Sequence, residues 1–129
     1  MARKIKGETK YHSMHANIWV KQLGSATEES ISRLQSSLNE ALPYALGLFE
    51  ESKFEDELIS EGVFKGEAVL KEAWLGEITK IINQSALELP NLSSIEPVLG
   101  GRNGVHTEYL QPMLDEMSEV FKVDPTADW

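Results

Sequence analysis

Glu8, His12 and His15 are the residues best equipped for chemistry: one carboxylate and two imidazoles within about two helical turns. At about 100° per residue, a helix from Ile5 to Leu23 puts Ile5, Glu8, His12, His15, Ala16, Trp19 and Leu23 on one stripe. The spacing of Glu8 and His12, four positions apart, keeps both on one face and permits a mononuclear ion such as zinc. Two ligands do not make a site. On a core-facing helix the same groups can satisfy one another or a neighbouring lysine, and that plainer reading is the favoured one.

A di-iron centre in a helical bundle asks for more. It takes a Glu-x-x-His pair from each of two helices and a further carboxylate from each of two others. No His here has an acid three places before it: Thr9 precedes His12, His12 precedes His15, and Asn103 precedes His106. A second candidate is Gly100-Gly101-Arg102-Asn103-Gly104, a glycine-rich turn ahead of Thr107, His106 and Glu108. Such a turn can offer backbone donors to a phosphate, with Arg102 adding charge. It follows no strand and lacks the Lys-Ser/Thr ending of a P-loop, so a plain turn is favoured. No Gly-x-Ser-x-Gly motif occurs, and no Ser, His and Asp are arranged as a triad.

The elements that would position these residues are helical. The first runs from Ala2 to Leu23, with Gly24 expected as a left-handed cap. A capping box at Ser25 to Glu28, or Thr27 as a rival N-cap, starts a second helix reaching about Glu51. Its stripe is Ile31, Leu34, Leu38, Leu42, Ala45 and Phe49, and Pro43 removes one backbone donor from its middle. The short link makes the two an antiparallel hairpin. A short helix at Phe54 to Ser60 ends near Gly62, its Glu55, Asp56 and Glu57 expected in solvent. A third long helix spans Gly66 to Ala86 with Leu70, Ala73, Trp74, Ile78, Ile81 and Ile82 inward. After a Pro- and Gly-rich loop from Leu87 to Gly104, a last helix runs from Thr107, its N-cap, to Lys122, with Leu110, Met113, Leu114, Met117 and Phe121 inward. The chain reads as all-α, a single helical domain over residues 1–129.

Composition narrows the function classes. The 129 residues carry 21 acidic and 12 basic side chains, a formal net charge of -9, which argues against a generic nucleic-acid binder. There is no Cys, so disulfides, thiolate nucleophiles and Cys-based metal sites are excluded. The basic start, Met-Ala-Arg-Lys-Ile-Lys-Gly, leads into no apolar run of the kind a signal peptide needs, and no stretch approaches the roughly 20 apolar residues of a membrane span. The expected setting is the cytoplasm, away from membranes.

Several runs resemble a known family. They are Glu8-Thr9-Lys10-Tyr11-His12, Trp19 to Leu23 with Gly24 and Thr27, and Leu48-Phe49-Glu50. Most specific is Gly101-Arg102-Asn103-Gly104-Val105-His106-Thr107-Glu108-Tyr109-Leu110, followed by Met113-Leu114-Asp115-Glu116-Met117. Together they are similar to the C-terminal half of the PaaC family, the structural subunit of bacterial phenylacetyl-CoA epoxidase (ring 1,2-epoxidase). The closing Trp129 also resembles the family's ending.

The resemblance implies a ferritin-like helical bundle, of which this chain would be the C-terminal half of a longer subunit. It implies a non-catalytic role in a monooxygenase complex of aerobic phenylacetate catabolism. A di-iron catalytic sister subunit would insert oxygen, fed with electrons from NADPH through FAD and an iron–sulfur reductase, and this chain would bind no cofactor itself. Tyr11 stands where a Glu-x-x-His motif beginning at Glu8 would place its ligand, in agreement with that role. Interface or structural roles then fall to Tyr11, Trp19, Arg102, His106, Thr107 and Glu108, with the other epoxidase subunits as partners and self-association expected of the chain alone. Two other readings stand beside it: a metal-binding helical enzyme using Glu8, His12 and His15, and a helical assembly module unrelated to oxygen chemistry.

Overall fold

The computed structural model describes residues 2–127 of the chain, with side chains from residue 5 onward. The side chains of Arg3 and Lys4 and the closing Trp129 lie outside the described residues. All regular structure among the described residues is helical, as the sequence predicts: α1 (Ala2–Leu23), α2 (Glu28–Gly47), α3 (Glu55–Ser60), α4 (Glu67–Ile82), α5 (Leu110–Met117) and α6 (Glu119–Val123). Two 3-10 turns, Leu92–Ser94 and Gly101–Asn103, punctuate the connections. The chain falls into two compact units, Met1–Val98 and Leu99–Trp129.

In the first unit the hairpin of α1 and α2 is pinned at its turn. Thr27 is the N-cap of α2, its Oγ1 accepting the Ser30 N–H at 3.1 Å while Ser30 Oγ accepts the Thr27 N–H at 3.0 Å. The rival cap therefore replaces the predicted box at Ser25 to Glu28. Ser30 Oγ also donates to Leu23 O at 2.7 Å, tying the end of α1 to the start of α2. Gly24 is not left-handed, contrary to expectation. Its N–H donates to Val20 O at 2.9 Å, and its carbonyl accepts the Ala86 N–H at 2.8 Å. A glycine is needed there for room, because an added Cβ would stand 2.8 Å from Ser85 Cβ and 3.1 Å from Leu87 Cδ1.

The second helix stops at Gly47, short of the predicted Glu51. Beside that end the Val98 N–H donates to Pro43 O at 3.0 Å, and any Cβ on Gly47 would collide with the Val98 carbonyl. The stripe of α2 is largely as expected: Leu42 and Leu46 are buried, Ile31, Leu34, Leu38, Ala45 and Phe49 half-buried. Ile82 and Leu87 complete the buried apolar set, and Phe49 meets Trp74 of α4 with ring centroids 5.4 Å apart. On α4 itself Trp74, Ile78 and Ile81 are half-buried, whereas the predicted inward residues Leu70 and Ala73 are exposed.

Two corrections concern acids and the first helix. Glu55, expected in solvent, is only 8% exposed, and its Oε1 accepts the Glu67 N–H at 2.8 Å. Gly66, at φ 95°, has no side chain with which to cap α4, so a carboxylate twelve positions earlier satisfies that helix start. The stripe of α1, expected to face the core, instead faces solvent within this chain: Ile5, Tyr11 and Trp19 are 54%, 56% and 48% exposed. The half-buried positions on α1 are Asn17 and Val20, roughly opposite on a 100° wheel.

In the second unit α5 begins at Leu110 and not at Thr107, and Tyr109 occupies the N-cap position without a side-chain bond. Pro112 falls in the first turn of α5, where its missing donor costs nothing. The predicted single helix breaks at Ser118, whose Oγ donates back to Leu114 O at 2.6 Å, a competition with the backbone that loosens a helix interior. Leu110 is half-buried, but Met113, Leu114, Met117 and Phe121, expected inward, are exposed.

Candidate functional site

All twelve side chains from Ile5 to Ala16 are exposed, so Glu8, His12 and His15 lie on an open helix surface. Their neighbours are aromatic. Tyr11 stacks on His15 with centroids 6.1 Å apart and meets His12 edge-on at 5.9 Å. Trp19 Nε1–H donates to His15 Nε2 at 3.1 Å, with the rings edge-to-face. This bond occupies the Nε2 lone pair and leaves the proton of a neutral His15 on Nδ1, so ligation of a metal by His15 requires that the Trp19 bond be broken. Among the described residues no three of His, Cys, Asp and Glu come together as a metal cluster. The donor set does not fit a di-iron centre, and no chemistry on iron is derived through this chain.

The glycine-rich turn closes on itself. Gly100 and Gly104 take positive φ of 99° and 82° around the 3-10 turn Gly101–Asn103. Gly100 O accepts the N–H groups of Asn103 and Val105, each at 2.9 Å, and Gly101 O accepts that of Gly104 at 3.3 Å. Backbone donors that a phosphate would need are spent on carbonyls of the turn. Arg102 is exposed and holds contacts of its own, and His106, Thr107 and Glu108 follow as an exposed run that caps no helix by side chain. Nothing brings them together as an acid–base group.

Two polar features escaped the sequence reading. The first is the buried Glu55, whose Oε2 finds no hydrogen-bond partner among the described residues. The second is Gln35, which accepts the Glu88 N–H at 2.8 Å and donates to Glu88 O at 2.9 Å and to Asn39 Oδ1 at 2.9 Å. It clamps the segment after α4 onto α2 beside a groove of ≈ 560 Å³ reaching Ile31, Ala86 and Pro90. Gln35 and Glu88 are 53 positions apart in sequence, so no local pattern announces the pair.

Comparison with known proteins follows the same lines as the motif reading. The sequence pattern of the family described as phenylacetic acid catabolic protein matches residues 1–129. The chain is 32% identical over 128 residues to the PaaC-type subunit of the 1,2-phenylacetyl-CoA epoxidase of Escherichia coli (strain K12). That match takes in 99% of this chain and 50% of the relative, so the chain spans about half the relative's length. The PaaC resemblance carried by Gly101 to Leu110 is borne out, and the all-α make-up accords with a ferritin-like helical bundle. The chain belongs to the PaaA–PaaC family of phenylacetic acid catabolic proteins.

Proposed function

We propose that this chain is a structural, non-catalytic subunit, or half of one, of a phenylacetyl-CoA epoxidase working in aerobic phenylacetate catabolism. The carrying observation is the identity of 32% to the E. coli epoxidase subunit across 99% of the chain. The arrangement of α1 supports the same reading. Its imidazoles are engaged with Tyr11 and Trp19, and no further donors converge on Glu8. The chain's role is to present helical surface to a catalytic sister subunit that holds the di-iron centre, with NADPH, FAD and iron–sulfur chemistry supplied by a reductase of the same complex.

The working setting is the cytoplasm, in accord with the absence, among the described residues, of a helix long and apolar enough to cross a membrane. Co-expression with a di-iron epoxidase subunit and affinity capture of this chain tests the proposal. Stoichiometric co-purification, with iron following the sister subunit and not this chain, is the expected result. Failure to bind any oxygenase subunit would return the chain to the class of unrelated assembly modules.

A further inference from the structure

The unpartnered surface of α1 is of a particular kind. The chain carries 12 basic and 21 acidic residues, and α1 alone holds five of the bases, Arg3, Lys4, Lys6, Lys10 and Lys21, against the single acid Glu8. Seven bases and twenty acids remain for everything else. Along its exposed first half, basic Lys6 and Lys10 alternate with the apolar surface of Ile5, Tyr11 and Met14. The complement is present in the same unit, between the end of α2 and the start of α4. There Leu48, Phe54, Leu58 and Val63 are exposed apolar residues, interspersed with the exposed acids Glu51, Asp56, Glu57 and Glu61. The base within that segment, Lys53, lies over the Phe54 ring at 4.9 Å.

We propose that the first half of α1 docks on the acidic, apolar α3 region of a second copy of this chain. Each copy carries both surfaces, so the contact is made twice about a two-fold axis and closes as a dimer. Opposite charge sets the register and speeds encounter, and the apolar residues supply the burial. With only Leu42, Leu46, Ile82 and Leu87 buried among the apolar residues, the chain has much to gain from covering these faces. The dimer rests on the two surfaces alone and is independent of the epoxidase reading.

Sedimentation velocity on the full chain, across concentration and at low and high salt, tests it. A dimer is expected at low salt, weakened by added salt as screening removes the charge attraction. The double variant Lys6→Glu/Lys10→Glu should raise the dimer dissociation constant by about tenfold or more. Adding Asp56→Lys/Glu57→Lys to it should recover most of that loss, while unchanged circular dichroism shows that each variant still folds. A monomer at every concentration overturns the proposal, as does a dimer indifferent to both sets of charges. A polypeptide corresponding to the unmatched half of the E. coli relative is the competing occupant. If it forms a one-to-one complex that excludes the dimer and is lost on Trp19→Ala, α1 is the seat of a different chain and the proposal falls.

Discussion

Single side chains hold this chain's local structure, and their removal has definite costs. Thr27→Ala deletes the acceptor that closes the start of α2 and should cost about 1 kcal/mol in urea unfolding. Glu55→Ala leaves the buried Glu67 N–H without its acceptor and should cost about 1–3 kcal/mol, with the loss of helix signal centred on α4. The first effect is readable from sequence, because a Thr one residue before an acidic first turn is a local pattern. The second is not, since the run Glu55-Asp56-Glu57 looks alike at each position and only tertiary placement tells that the first acid is buried. The same limit applies to Glu8, His12 and His15. Their common face follows from helical period, but whether anything covers that face depends on what packs against α1.

At the scale of elements, the glycines divide by what surrounds them. Gly24→Ala forces a Cβ into Ser85 and Leu87 and should destabilise the α1–α2 turn by about 1–3 kcal/mol. Gly76, inside α4 with nothing within 4 Å of a built Cβ and no positive φ, should behave oppositely. Gly76→Ala is expected to stabilise by about 0.5–1 kcal/mol, measured as a raised denaturation midpoint. Titration separates the second unit from the first. Asp115 has its pKa lowered chiefly by the hydrogen bond from Lys122 at 2.8 Å, then by that from Gln111. A depressed carboxylate contributes stability above its unfolded pKa and loses it as pH falls through the folded value. Acidification below the ordinary Asp range should therefore loosen the α5–α6 junction, seen as a shift of the Lys122 side-chain resonances that Asp115→Asn abolishes at all pH. Helix number and the hairpin were legible in the apolar periods. The break at Ser118 and the early end of α2 were not, because the first comes from a hydroxyl bonding back to Leu114 and the second from Val98 arriving half a chain away.

For the molecule as a whole, the small buried set and the open α1 mean that its stability should depend on what binds it. A ligand that binds only the folded chain raises its stability by mass action, by about 2.7 kcal/mol at a hundred times its dissociation constant. A protein partner that covers apolar helix faces and a metal ion held by Glu8, His12 and His15 would both act this way, so the two can be told apart by melting. Under the structural-subunit reading, the sister subunit raises the melting temperature, while added iron, zinc or manganese leaves it where it was. The double variant Glu8→Ala/His12→Ala should melt with the parent chain and contain no less metal. Near-stoichiometric metal in the purified chain, lost in that variant together with a metal-dependent rise in melting temperature, would instead make α1 a binding site. In that case His15 has given up its bond from Trp19, and a change in indole fluorescence on metal addition would register the exchange.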